Sequence, residues 1–279
     1  METATRTVPV PGLGMDFDIL ADDTIIGPAI ASGSWEDHET ALFTAHLEPG
    51  CRVLDLGANI GWFTVQAILA GAEVHAFEPV PFIADVAQKN IERANALGKG
   101  RGVLHRFAAG AAASTARIAL AQGNHGDNRV FDETKGAPAD MQNAEGIEIR
   151  VERVDDHVQG PVRVIKIDTQ GSEWLALQGA KKLLDDSPQV AMLLEFWPYA
   201  LRECEPIELL RFLAQQGFTL GKASAAPYPL GVERLMKQAS HGDPVKGGFD
   251  LYCTRQLPFH VLGLGARLKS MLRSLREES

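Results

Sequence analysis

The sequence predicts an α/β fold built on a parallel sheet that ends in an antiparallel hairpin. Two observations carry this. Short apolar runs of strand character alternate with stretches of helical periodicity through the middle of the chain, at the spacing of βαβ units. A chain of 279 residues that is 45% hydrophobic and 23% charged can also bury a full core, which excludes disorder, collagen and coiled coil.

The elements follow in order. Arg52-Val53-Leu54-Asp55-Leu56 is a short apolar run that stops at Gly57, and residues 62–70 form an apolar helix ending at Gly71. Glu73-Val74-His75-Ala76-Phe77-Glu78 repeats the strand signal. Pro79 and Pro81 open a helix that carries Ile83, Val86, Ala87, Ile91 and Ala94 on one face. Val103-Leu104-His105-Arg106-Phe107 is a third strand. Residues 110–160 break the rhythm: Ala116 to Leu120 and the alternation Ile147-Glu148-Ile149-Arg150-Val151 read as an edge hairpin, with a mobile polar loop at Gly123-Asn124-His125-Gly126-Asp127-Asn128. The pattern resumes with a strand over 162–167 closed by Asp168, a helix over 172–184, a strand over 189–196 closed by Glu195 and a helix over 206–216. Strands near 218–222 and 248–253 make the terminal hairpin.

One domain is expected for 1–279, with an N-terminal lid over 1–50, a core over 51–257 and a basic amphipathic helix over 258–279. In the lid, Trp35-Glu36 leads into a helix through Leu47 that should cover the sheet edge near the site. The final helix, with Leu268, Leu272 and Leu275 among Arg267, Lys269, Arg273 and Arg276, suits packing on its own domain or a second protomer better than a membrane surface.

Charge narrows the partners. The formal net charge of −9, spread without a basic block, removes the attraction that supplies most non-specific nucleic-acid affinity. Cys51, Cys204 and Cys253 are far apart and suit reduced structural thiols. With no secretory leader and no apolar run able to span a bilayer, the expectation is a cytoplasmic protein.

The chemistry concentrates at Asp55-Leu56-Gly57-Ala58-Asn59-Ile60-Gly61, where the first strand turns into the first helix. A dinucleotide fingerprint would want glycines at 57, 59 and 62, and the chain has Gly57, Asn59 and Trp62. What remains is a loop whose glycines let the backbone pass close to a small ligand. Glu78 follows about 20 residues on, where a carboxylate accepts hydrogen bonds from both ribose hydroxyls. The pair suits a nucleoside without a pyrophosphate.

Asp168 and Glu195 close neighbouring strands at the carboxyl edge where open α/β sheets bind ligands. Together they offer a divalent-metal site, or either offers a general base. The structural alternatives are that Asp168 caps the following helix and Glu195 orients a loop. Glu173 suits a first-turn carboxylate, and Lys166, inside a central strand, needs a carboxylate partner. Of the histidines, His125 in the polar loop is the best candidate base, whereas His75 and His105 read as packed neutral residues. Trp35, Trp174 and Trp197 are candidates for an acceptor pocket or for core.

The first loop continued through Trp62-Phe63-Thr64, then Ala76-Phe77-Glu78-Pro79, Ile165-Lys166-Ile167-Asp168-Thr169-Gln170-Gly171-Ser172-Glu173 and Leu194-Glu195-Phe196-Trp197-Pro198, resemble the FkbM family of S-adenosylmethionine-dependent methyltransferases. The resemblance runs from about residue 50 to 253; Thr169 departs from the acidic or valine-like residues more usual there. It implies a Rossmann-like class I methyltransferase fold, a seven-stranded mostly parallel sheet with helices on both faces and the last strand antiparallel. It also implies S-adenosyl-L-methionine as cofactor and O-methylation of a small molecule or saccharide, chiefly polyketides and sugars. Gly57 and Gly61 would then shape the methionine pocket, Asn59 would face the cofactor, Glu78 would hold the ribose, and Phe107 and Ala108 would meet the adenine. Asp168 is a candidate for cofactor contact as well as for catalysis, and Asp55 would orient the loop or bond the methionine amine. For the glycines the alternative is a plain strand-to-helix turn, and for Phe107 and Ala108 ordinary strand packing. No Asn/Asp-Pro-Pro-Tyr/Phe run follows the fourth strand, which argues against methylation of exocyclic base nitrogens. Other readings are methylation at nitrogen or carbon, and a non-catalytic protein that binds the cofactor.

Overall fold

The computed structural model describes residues 4–131, 141, 146–241 and 248–260. Strands β1 (Thr5–Pro9) and β2 (Asp16–Leu20) form a hairpin, followed by helices α1 (Ile26–Ala31) and α2 (Asp37–Thr44). Then come β3 (Arg52–Leu56), α3 (Trp62–Leu69), β4 (Glu73–Phe77), α4 (Pro81–Asn95) and β5 (Arg101–His105). Short strands β6 (Ala108–Ala109), β7 (Ser114–Ala119), β8 (Arg129–Phe131) and β9 (Gly146–Glu152) precede β10 (Val164–Ile167). The chain continues through α5 (Glu173–Gly179), α6 (Lys181–Asp185), β11 (Val190–Phe196), α7 (Pro206–Gln215), β12 (Thr219–Lys222), α8 (Val232–Ala239) and β13 (Phe249–Arg255).

Seven strands make the main sheet in the order β12-β13-β11-β10-β3-β4-β5. Pairing is parallel from β5 through β11, and β13 runs antiparallel to both β11 and β12. This is the class I methyltransferase topology that the resemblance implied. Both faces of the sheet are covered, so its strands are apolar throughout rather than alternating. Val53, Val74, Val164, Leu193 and Tyr252 pack on the face of α3 and α4, while Leu54, Leu56, Ile165, Ile167 and Leu194 pack against α5, α6 and α7 on the other.

Three expectations change. The segment 110–160 is not an edge hairpin: β6 to β9 form a separate sheet in the order β6-β9-β7-β8, with β7 antiparallel to β9. Its polar loop is pinned rather than free, because Asp23 Oδ2 accepts from the His125 N–H at 3.1 Å and the His125 carbonyl accepts from Asn59 Nδ2 and Asn128 Nδ2 at 3.1 and 2.9 Å. The helix expected over 172–184 is two helices that meet at Ala180, where an added Cβ on Gly179 would overlap the Gly110 carbonyl.

The N-terminal segment adds a hairpin and a helix to the one expected. Asn90 of α4 ties it down: its Oδ1 accepts from the Asp18 N–H at 2.7 Å, and its Nδ2 donates to the carbonyls of Asp18 and Ile60, both at 2.9 Å. One buried amide therefore fixes the hairpin, α4 and the loop after β3 relative to one another. No helix among the described residues is long and apolar enough to cross a membrane. Of the expected C-terminal amphipathic helix, residues 261–279 lie outside the described residues.

Candidate functional site

A cavity of about 1000 Å³ opens at the carboxyl edge of the main sheet. The loops after β3, β4, β10 and β11 line it, together with the small sheet and Ile26, Trp35 and Glu36 from the N-terminal segment.

The loop after β3 is shaped by its glycines. Gly57 has φ +87° and its N–H donates to the Phe77 carbonyl at 3.0 Å, while an added Cβ would overlap the Asp168 carbonyl. Only a residue without a side chain lets β3 and β10 close at this point. Asn59, at φ +50°, lines the cavity and is held through its Nδ2 on the His125 carbonyl. Gly61, at φ +92°, opens α3 behind the cavity, its Cα facing Ala87.

Glu78 lies buried at the cavity wall. Its Oε2 accepts from the Asn59 N–H at 3.0 Å and its Oε1 from the Val80 N–H at 2.9 Å. Burial pushes its carboxyl up to about 7 against the pull of those two donors. Ala108 lines the same cavity, whereas Phe107 packs away from it against Phe77, His105 and His157. The reason is a shift of the third strand: it spans 101–105, which leaves Phe107 in the turn before β6.

Asp55 also stands apart from the cavity. It is buried on the α3 face, where its Oδ2 accepts from Thr64 Oγ1 at 2.5 Å, and burial raises its carboxyl to about 6. Of its two readings the geometry favours orienting the loop, through α3.

The strand-end carboxylates meet around a buried lysine. Period-two alternation places Lys166, Asp168, Glu195 and Asp250 on one face of the sheet, and β10 sits between β3 and β11. Lys166 Nζ lies 3.1 Å from Asp250 Oδ1, 3.2 Å from Asp168 Oδ2 and 3.4 Å from Glu36 Oε2, with the Phe63 ring at 5.2 Å. Burial pulls its ammonium down, but Asp250, Glu36 and Asp168 together outweigh this and raise it. Burial likewise raises Glu36 to about 8, and raises Glu195 well above the carboxylate range with help from Asp168.

Gln170, at φ +50°, was not anticipated. Its Nε2 donates to Asp168 Oδ1 at 2.7 Å and to Glu195 Oε2 at 2.9 Å, occupying the bridging position that a shared metal would need. Among the described residues no group of His, Cys, Asp and Glu is arranged to hold a metal ion. This donor set does not fit one. Asp168 does not cap α5 either: Glu173 Oε1 closes that turn, accepting from the Thr169 and Gly171 N–H groups at 3.0 Å each. Only a left-handed residue following Asp168 would have hinted at Gln170, and its type carries no such signal.

His125 lines the cavity with a buried ring whose nitrogens make no hydrogen bond; Nε2 lies 3.2 Å from Asp22 Oδ1, off hydrogen-bonding geometry. Burial holds His75 and His105 below the ordinary histidine range, His105 at about 4, as expected of packed neutral residues. Trp35 and Trp197 line the cavity, whereas Trp174 stacks edge-on against Phe212 outside it.

A family model described as the methyltransferase FkbM domain matches residues 55–220. No curated protein matches the chain. Among solved structures it is similar to the methyltransferase FkbM from Methylobacillus flagellatus KT, at 19% identity and a TM-score of 0.45 over 73% of this chain and 43% of that one. It is also similar to an rRNA methylase from Streptococcus thermophilus, at 13% identity and a TM-score of 0.40 over 79% of this chain and 95% of that one. Magnesium protoporphyrin IX methyltransferase from Synechocystis PCC 6803, crystallised with S-adenosylmethionine, matches at 14% identity and a TM-score of 0.42 over 84% of this chain and 85% of that one.

Proposed function

Because this chain belongs to the FkbM family of S-adenosylmethionine-dependent methyltransferases, we propose that it methylates a hydroxyl of a small molecule or saccharide. The observation that carries the reading is the pairing, in one cavity, of a carboxylate fixed for ribose with a second carboxylate at the next strand ends. Glu78 is oriented by two backbone N–H groups, yet each oxygen keeps acceptor capacity for a ribose hydroxyl. Asn59 and Ala108 line the same cavity, and the remaining acceptor capacity of Glu78 suits the hydroxyls of a nucleoside. When bound, S-adenosylmethionine supplies a methyl group already activated by its sulfonium.

The residues of the chain then have three tasks. The apolar walls and the pinned polar loop exclude water, and the cavity aligns an acceptor oxygen. Asp168 takes the hydroxyl proton at its carboxylate, its two oxygens held by Lys166 and Gln170. His125 is the second candidate for this task, on the ground that its buried ring nitrogens are unbonded at the cavity wall.

Calorimetric titration with S-adenosylmethionine tests the reading. Binding is expected, and no heat of binding would sink it. Binding without methyl transfer to any member of a hydroxyl panel would favour a non-catalytic binder, and transfer to amines alone would favour N-methylation.

Glu78→Ala is expected to weaken the cofactor by roughly 1.5–3 kcal/mol, the range for hydrogen bonds to a charged group. The affinity should also depend on pH. The free carboxyl, raised to about 7, holds a proton below that value and must release it to accept two hydroxyls. Binding should therefore tighten as the pH rises through 7, and Glu78→Gln should abolish the dependence. A flat profile in the unmodified protein would remove Glu78 from the ribose. Asp168→Asn should lower kcat by about 10²-fold or more, the scale of general-base catalysis, with cofactor affinity little changed. Equal activity in the variant would shift the role to His125, to be checked with His125→Gln.

A further inference from the structure

The cavity, at about 1000 Å³, stands at the upper end of the ~300–1,000 Å³ range of pockets that enclose one drug-sized ligand. Its walls carry both signs of charge. The side formed by the loops after β3 and β4 presents the Glu78 carboxylate, while the side formed by β8 and the segment after β11 presents Arg129, Trp197 and Arg202 together with Asp127 and the exposed Glu203.

The two arginines are differently placed. Arg129 is buried, forked onto Asp127 at 2.7 and 2.8 Å and laid over the Trp197 ring at 4.4 Å, so its charge is already answered. Arg202 is fixed by its backbone, whose N–H donates to the Gly171 carbonyl at 2.8 Å. That places it next to Gln170, which touches both Asp168 and Glu195. Its half-buried side chain lines the cavity and makes no hydrogen bond, ion pair or ring contact among the described residues. A guanidinium keeps its charge at any ordinary pH and presents a planar fork of donors matched to a carboxylate or phosphate.

We infer that the methyl acceptor carries an anionic group, a carboxylate or a phosphate ester, which docks on Arg202 beside Trp197 and directs the acceptor hydroxyl toward Asp168. This deepens the methyltransferase reading and rests on it. Arg202 touches no reacting atom in this arrangement; it selects and orients the acceptor. The methionine carboxylate of the cofactor is the rival occupant of the same charge.

The test loads the full chain with S-adenosylhomocysteine and titrates inorganic phosphate at constant ionic strength, following the Arg202 Nε–H resonance, assigned by its loss in Arg202→Met. A saturable shift is expected in the ~1 mM range, a typical weak affinity. Read by calorimetry, which does not depend on that resonance, phosphate binding should disappear in Arg202→Met and weaken in Arg202→Lys, which keeps the charge and loses the fork. Glucose 6-phosphate should bind the loaded chain about tenfold tighter than glucose, as one charge-assisted contact provides, and equally in Arg202→Met. An absent shift, or phosphate binding that survives Arg202→Met, overturns the proposal. A shift seen only without S-adenosylhomocysteine also overturns it, since the site is then the cofactor's. Failure of the unmodified chain to bind S-adenosylhomocysteine overturns the methyltransferase reading itself, an outcome distinct from binding it without phosphate.

Discussion

Gly57→Ala is expected to destabilise the protein by about 2–5 kcal/mol, combining ~1–2 kcal/mol for a side chain in the left-handed region with ~1–3 kcal/mol for overpacking. The residue sits at φ +87°, and an added Cβ would overlap the carbonyl oxygen of Asp168. Relief requires β3 and β10 to separate where the cavity floor is made. Activity should therefore fall beyond what stability alone explains, because Asp168 moves with its backbone. Gly50→Ala is the matched control: it has φ +78° with nothing within 4 Å of the added Cβ, so only the backbone cost remains. Denaturant midpoints of the two variants decide the matter. Equal destabilisation would show that the close approach at Gly57 is not a constraint.

Lys166→Met is expected to destabilise by about 3–5 kcal/mol, the cost of leaving buried charges without their partner. Asp168, Asp250 and Glu36 all share this ammonium, and Glu195 lies close by through Gln170. The sign of the pH dependence follows. Because the ammonium is raised above its ordinary 10.5, its contribution is in place throughout the neutral range and fades only in strongly alkaline solution. In the variant the stranded carboxylates take up protons as the pH falls, so the deficit relative to the unmodified protein should be larger at pH 8 than at pH 5. Glu36, already raised to about 8 by burial, takes part in this uptake. Urea midpoints at both pH values measure the effect, and a deficit independent of pH would mean that packing rather than charge holds the cluster.

Much of this site is legible in the residues themselves. The run from Asp55 to Gly61, with Glu78 in register, locates one wall of the cavity because strand ends and tight turns leave local signatures of glycine and acid. Lys166 announces its carboxylate partners because an unpaired ammonium inside a central strand is too costly to exist. Other parts are not legible. Asp55 and Glu78 both mark strand ends, yet one turns under the loop to Thr64 and the other faces the cavity. Phe107 stands off the cavity because the third strand is registered two residues earlier than its apolar run suggests. The segment from 110 to 160 has strand character, but alternation does not say which sheet a strand joins.

By itself the sequence determined the strands of the main sheet, most of the helices between them and the family, since these follow from periodicity and from residue types at turns. Only the tertiary structure decided which carboxylates share a neighbour. It brought Glu36 and Asp250, far from one another in the chain, onto Lys166, set the Gln170 amide between Asp168 and Glu195, and left the Arg202 side chain at the cavity wall with no hydrogen bond or ion pair among the described residues. The reason is physical: local sequence sets backbone conformation, whereas the protonation and pairing of a buried group depend on whatever distant segments the fold packs against it.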